Sequence, residues 1–443
     1  METLKLFYED ALVPKDRILK TAEEIMPEIE KARSVISKGY DDDRAFINLP
    51  DDEETLSIVK RTIEEKLSLQ PEFLIVIGIG GSNLGTLAVQ EAILGKLYNL
   101  SASTIKVLYA DTVDSALISG IINLVKPTLK RNGNVLLNVI SKSGITTETA
   151  ANFRILIDLL RKYKKGYKDH VVVTSDRGSN LWKLAVKEGF TTLEIPRKVG
   201  GRYSVLSPVG LFPLGLLGIR IEDLLKGARQ MREACVDADL ERNPAAIIAC
   251  IQFNHYREGK NISDLFFFSS DLESLGKWCR QLMAESLGKE FDRNGGKVNV
   301  GITPTVSVGS TDLHSVAQLY LGGPYDKFTT FISIENSRSR LLVPLRDDYS
   351  DLVPGIDGKS LDEILSAILE GTKEAFRKDK RPFIEISLPD KSESSIGQFM
   401  QLKMFETMYL GHLLNVNPFD QPDVEKYKKE TRRILAGEKK SDN

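Results

Sequence analysis

Cysteine, histidine and tryptophan are scarce here, with three, four and two residues in a chain of 443. Cys235, Cys250 and Cys279 form no CxxC pair and are odd in number, which excludes a disulfide framework and points to reduced thiols in the cytoplasm. His170, His255, His314 and His412 show neither HxH nor HExxH spacing, so neither a metal site nor a metal-dependent mechanism is expected. Charge of one sign is lacking too. The 60 Lys and Arg residues nearly balance 62 Asp and Glu, leaving no net field to draw the chain to nucleic acid or a membrane surface. The opening "METLKLFYED" is charged and has no apolar core of the kind a signal peptide needs. The longest apolar stretch, 209–219, contains Pro213 and is too short to span a bilayer. A soluble intracellular protein is the expectation.

What the chain does have is apolar residues (42%) in quantity enough for two or three domains with substantial cores. Strand and helix patterns alternate. "FLIVIGI", "IKVLYA", "NVLLNVIS" and "HVVVTS" read as strands, each followed by a helical pattern, which is the mark of a doubly wound, mostly parallel α/β sheet. The rhythm breaks at 196–207, three helical patterns follow, and a second series runs from "DLFFFSS" through "GITPTVSVGS", "KFTTFISIEN" and "PFIEISLP". We expect an N-terminal helical arm at 1–50, α/β domains at 51–195 and 196–392, and a C-terminal helical arm at 393–443. The long helical patterns at 22–37 and 396–414 are expected to pack as arms across the domains.

Glycine is concentrated where chemistry is expected. In "FLIVIGIGGSNLG", residues 73–79 read as a buried strand and 82–94 as a helix, so the glycines occupy the turn between them. Such a turn presents backbone N–H groups and a helix N-terminus, which suit phosphate. Neither GxGxxG nor a P-loop fits, because Asn83 stands where a third glycine belongs and no lysine follows Gly85. Asp111, closing "IKVLYAD", keeps a dinucleotide reading open. "NVISKSGITTET" adds Ser141, Lys142, Ser143 and Thr146 just after another strand, again suited to a phosphate monoester rather than an ordinary helix cap alone. "VGGRYSVLSP" puts Arg202 behind two glycines, where a guanidinium can reach developing negative charge. In "LGKWCRQLMAESLGK", Leu275, Trp278, Leu282 and Met283 form a buried helical stripe. Glu285 lies on its shoulder, where partial desolvation suits a general base, and Gln281 is one turn before it. His314, in "GSTDLHSVAQ", is expected in the first turn of a helix, where the dipole keeps the ring able to accept a proton.

Taken in order, "GIGGSNLG", "SKSGITTET", "GGRYSVLSPVG", "ESLGK", "TDLHS" and "NPFDQPDVEKYK" resemble the glucose-6-phosphate isomerases, most of all their shorter bacterial branch, over residues 73–430. The resemblance implies two sugar-isomerase (SIS-type) domains, a homodimer with shared active sites, no metal and no cofactor. The reaction it implies interconverts glucose 6-phosphate and fructose 6-phosphate through a cis-enediol, in glycolysis and gluconeogenesis. Ser82, Ser141, Ser143 and Thr146, with Lys142, would hold the phosphate, and Gly81 would belong to the substrate site. Glu285 would be the base, Arg202 would steady the enediolate, Gln281 and Gly201 would line the pocket, His314 would assist ring opening, and Lys428 would be the active lysine. Read without the resemblance, Lys428 is one of several cations on a solvated face. One departure stands out: Arg197 occupies a place that is usually acidic, three residues before the first glycine of the Arg202 loop. A bifunctional glucose/mannose-6-phosphate isomerase and a sugar-phosphate-binding regulatory module are the competing readings.

Overall fold

The protein is described by a computed structural model that covers residues 2–337, 341–346, 349 and 352–438. After a short strand β1 (Lys5–Phe7), the first sheet is built from β2 (Pro71–Ile77), β3 (Lys106–Ala110), β4 (Asn134–Ile140), β5 (Val171–Ser175) and β6 (Thr191–Glu194). These five strands are all parallel, in the order β3-β2-β4-β5-β6. A short antiparallel ribbon, β8 (Lys289–Phe291) with β9 (Lys297–Val300), lies apart from both sheets. The second sheet contains β7 (Ile262–Phe267), β10 (Thr303–Val308), β11 (Lys327–Ile334) and β12 (Phe383–Leu388), with β1 added antiparallel at its edge in the order β1-β12-β11-β7-β10. The fold is α/β with mostly parallel sheets, as the alternating patterns imply.

Side-chain alternation decides what each sheet face covers. In β2, Phe73, Ile75 and Ile77 enter one core with Val135, Leu137 and Val139 of β4, while Leu74 and Val76 point the opposite way. In the second sheet Phe266 and Phe268 face an aromatic cluster with Phe331, Phe376 and Phe383, whereas Leu265 and Phe267 point the opposite way. Those opposite faces share one large central cluster, filled by helices such as Ile221–Cys235, Pro244–Arg257, Glu273–Leu287 and Glu393–Leu413. A strand buried on both faces needs no polar alternation, and the continuous apolar runs follow from that. No helix among the described residues is long and apolar enough to cross a membrane.

Glu393–Leu413 differs from the expected arm. It is buried along almost its whole length, so the C-terminal helical segment begins at the centre of the molecule. Gly227 and Gly397 let it meet Ile221–Cys235 backbone to backbone, since a Cβ on either would collide with a carbonyl of the facing helix. Several of its polar groups are matched, although Gln401 and Thr407 have buried polar atoms with no hydrogen-bond partner among the described residues. Gln398 accepts from the Leu4 amide at 3.0 Å, and Lys403 donates to both oxygens of Glu406 at 2.6 Å, with Gln252 donating to Glu406 at 3.1 Å. Burial pushes the Glu406 carboxyl up, and Lys403 and Gln252 oppose that.

Removing one member of this pair leaves the other buried and unmatched. Lys403→Met should therefore cost about 3–5 kcal/mol, and the double variant Lys403→Met/Glu406→Met should recover most of it. Urea unfolding of the three proteins measures both; equal loss in the single and double variants would contradict the account.

Candidate active site

The loops that follow β2 and β4 are neighbours because those strands are, with Ile77 in register with Val139. They meet at the carboxyl edge of the sheet, where open α/β folds hold ligands. After β2 comes a single 3₁₀ turn, Gly80–Ser82, and then the helix Leu84–Leu94. Gly78 lies between Ser82 and the end of β4: a Cβ there would be 2.9 Å from the Ser82 Cβ and 3.1 Å from the Ile140 carbonyl. Ser82 thus stands beside the strand end that leads into Ser141. In the second loop the Ser141 and Thr146 hydroxyls are 2.9 Å apart, and the Gly144 amide donates to Ser141 Oγ at 3.1 Å. Ser143 is exposed and accepts from the Ile145 amide at 3.4 Å. Lys142 donates to the Val199 carbonyl at 2.8 Å, tying this loop to the Arg202 turn. Burial pushes its ammonium pKa down against the pull of Asp176, and Arg202, Lys198 and Arg197 push the same way as burial.

Arg202 sits in a third turn, Gly201–Tyr203, packed directly on the first. A Cβ on Gly81 would overlap the Gly201 carbonyl, so the two turns touch only because residue 81 has no side chain. Arg202 is 2% exposed, and each of its five N–H donors is spoken for. Nε donates to Ser286 Oγ at 2.7 Å. Nη2 donates to the carbonyls of Pro418 at 2.6 Å and Asp420 at 2.9 Å. Nη1 donates to Gln421 Oε1 at 2.6 Å and, at a long 3.4 Å, to Glu285 Oε2. The weakest of the five contacts is the one to the carboxylate.

Glu285 stands near the end of the helix Glu273–Leu287, with Trp278, Leu282 and Met283 buried below it, as its shoulder position implies. Its side chain is 34% exposed, and Gln281 Nε2 donates to its other oxygen at 3.1 Å. Gln281 Oε1 is buried and has no hydrogen-bond partner among the described residues. The structure therefore brings Gly81, Gly201, Arg202, Gln281 and Glu285 into one group, with the Ser82 and Ser141–Thr146 loops beside it.

His314 and Lys428 are placed differently. His314 is exposed and closes a 3₁₀ turn, Thr311–His314, after the edge strand β10. It is not in the first turn of a helix: Ser315 and Val316 have φ of −121° and −115°, and the helix begins only at Ala317. The dipole argument for His314 accordingly falls. Lys428 lies on the helix Val424–Leu435, and its ammonium pairs with Glu425 at 2.8 Å. Arg197 is exposed and lines an open cavity of about 540 Å³ with Lys142, Ser143 and Arg177.

A family model described as phosphoglucose isomerase matches residues 70–443. The chain belongs to the phosphoglucose isomerase family. It is 35% identical over 405 residues to the glucose-6-phosphate isomerase of Carboxydothermus hydrogenoformans, covering 89% of this chain and 85% of that one. To the enzyme of Clostridium novyi it is 34% identical over 427 residues, covering 94% and 92%. A solved hypothetical protein of Thermus thermophilus superposes with a TM-score of 0.86 at 32% identity, over 98% of this chain and 100% of that one. The glucose-6-phosphate isomerase of Chlamydia trachomatis shares the fold, with a TM-score of 0.82 at 19% identity, over 98% and 89%.

In this member of the phosphoglucose isomerase family, several groups around Arg202 escaped the reading of the sequence. Ser286, Lys289 and Gln421 sit inside motifs already singled out, "ESLGK" and "FDQPDVEKYK". Nothing local says that Ser286 and Gln421 accept from an arginine more than 80 residues away, or that Lys289 shares the Asp420 carbonyl with it. Arg202 holds the loop at 417–423, so replacing it should free that loop. Arg202→Lys offers three donors for five acceptors and should lose about 1–3 kcal/mol for each buried acceptor left unmatched. Limited proteolysis should cut within 417–423 faster than in the parent. An unchanged cleavage rate and melting temperature would show that the arginine does not organise it.

Proposed function

We propose that the protein interconverts D-glucose 6-phosphate and D-fructose 6-phosphate, as a glucose-6-phosphate isomerase of glycolysis and gluconeogenesis. The observation that carries this reading is Glu285, a partly exposed carboxylate held between Gln281 and the long Nη1 contact of a buried arginine. An aldose–ketose isomerisation needs one base to take a proton from C2 and return it to C1, and a cation beside the enediolate formed between. Glu285 is that base. Arg202 is that cation, and its contact to Glu285 is weak enough to turn toward substrate. The unpartnered Gln281 Oε1 accepts a sugar hydroxyl. Ser82, Ser141, Ser143 and Thr146 take the phosphate with help from Lys142, at the meeting of the two loops. The same reading makes the protein a cytoplasmic homodimer.

Glu285→Gln keeps the shape of the side chain but cannot accept a proton. With glucose 6-phosphate, EDTA and no nicotinamide cofactor, the parent should produce fructose 6-phosphate, and the variant should be slower by about 10²–10⁴-fold while still binding sugar phosphate. Parent protein that makes no fructose 6-phosphate would overturn the reading. Near-normal solvent-proton exchange in the variant would overturn the assignment of Glu285.

His314 serves the partner's active site in this reading. Its exposed position at the edge of the second sheet supports that, and so does the family expectation of a two-fold dimer. His314→Ala and Glu285→Gln should each be inactive, and dimers mixed from the two should regain activity. One site then collects both defects and the other is intact. Mixed dimers without recovered activity would place His314 in its own chain's site.

A further inference from the structure

Lys289 takes no part in the proton transfer described above, yet it is one of the most tightly held cations in the molecule. It opens β8 directly after the Glu285 helix ends, and its side chain is 4% exposed. Its ammonium donates to the Glu285 backbone carbonyl at 2.8 Å and to the Asp420 carbonyl at 2.6 Å. The Asp420 carboxylate completes the set at 3.2 Å. Three acceptors match the three donors of a charged lysine.

The second of these acceptors is the informative one. The Asp420 carbonyl receives Lys289 and also Arg202 Nη2, at 2.9 Å. Two buried cations share one oxygen, and they approach it from different elements, the end of the Glu285 helix and the Gly201–Tyr203 turn. One residue further on, Gln421 accepts from Arg202 Nη1, the same nitrogen that reaches Glu285. Arg202 pins the loop from one side only. Without a second anchor, Asp420 and Gln421 could move together with the guanidinium and leave the Glu285 contact unset.

Burial opposes the charged form of Lys289, and Arg202 opposes it further, while Asp420 and Asp423 favour it. A cation is kept in an unfavourable place, which calls for a reason beyond filling space.

We propose that Lys289 is a positioning residue for the isomerisation, fastening the Asp420–Gln421 loop to the C-terminal end of the Glu285 helix. In doing so it sets Arg202 Nη1 between Gln421 and Glu285. The inference rests on the isomerase reading. It requires that loss of Lys289 slow the chemical step more than it weakens substrate binding, because the phosphate loops lie on other elements.

The test is a double-mutant cycle on the full-length protein, read by isomerase kinetics. Lys289→Met should lower kcat by roughly 10–100-fold, the scale expected when reacting groups shift by about an ångström, with KM changed by no more than about threefold. Adding Gln421→Ala should cost little further, because both changes release the same loop. Adding Ser82→Ala should multiply the losses, because that site is independent. Lys289→Gln retains two donors without the charge; it should fall between parent and Lys289→Met, and it serves if the Met variant does not fold. A kcat within twofold of the parent, or multiplicative loss with Gln421→Ala, would overturn the inference while leaving the isomerase reading intact. An inactive parent protein would overturn both.

Discussion

Everything near the candidate active site is arranged around the five donors of Arg202. A buried guanidinium is tolerated only when each N–H finds an acceptor, and here the acceptors come from two stretches of chain far from the arginine itself. Ser286 and Glu285 lie on one helix, while Pro418, Asp420 and Gln421 lie on a loop more than 200 residues further along. Satisfying the charge therefore fixes how the Arg202 turn, the Glu285 helix and the C-terminal loop stand to each other. Four of the five acceptors are uncharged, so the positive charge is solvated without being cancelled. That is the condition under which it can act on an anion forming nearby.

The same logic explains the contact between the glycine turns. Gly81 against Gly201 brings the first turn onto the third, and Lys142 ties the hydroxyl loop to the carbonyl of Val199. The edge of the first sheet and the buried arginine are thereby joined by one backbone-to-backbone contact and one lysine side chain. The buried helix Glu393–Leu413 packs against the Glu285 helix, and its Lys403–Glu406 ion pair also receives Gln252.

How much of this is legible in the sequence depends on the range of the interaction that fixes it. Four of the five strands of the first sheet and the shoulder position of Glu285 follow from local periodicity and are in the structure. The fifth strand, β6, is only four residues long and has no apolar run to mark it. The small strand β1 and the ribbon β8–β9 are three or four residues long and are held by partners elsewhere, so local pattern is too weak to mark them. The helical reading of His314 fails because the apolar pattern around 312–322 looks helical throughout, whereas the chain breaks at Ser315 and Val316. Glu393–Leu413 has apolar and polar residues on every side and so gives no amphipathic stripe; such a helix is buried on all sides, and only its surroundings reveal that. Gln421 and Lys289 are the sharpest case, since their meaning lies entirely in what they touch.

Arg197 shows how a departure from a family pattern is absorbed. Reversing a charge beside a buried arginine would be damaging if the two shared a surface. Here Arg202 faces inward to Ser286 and the 417–423 loop, whereas Arg197 stands exposed at the mouth of a cavity with Lys142 and Arg177. Solvent screens an exposed charge far more than a buried one, so Arg197 acts on Arg202 weakly. Its effect falls first on Lys142, whose charged form it opposes together with burial and with Lys198. Arg197 therefore bears on the charge of Lys142 in the hydroxyl loop, and the contact of Arg202 with Glu285 is made by other groups.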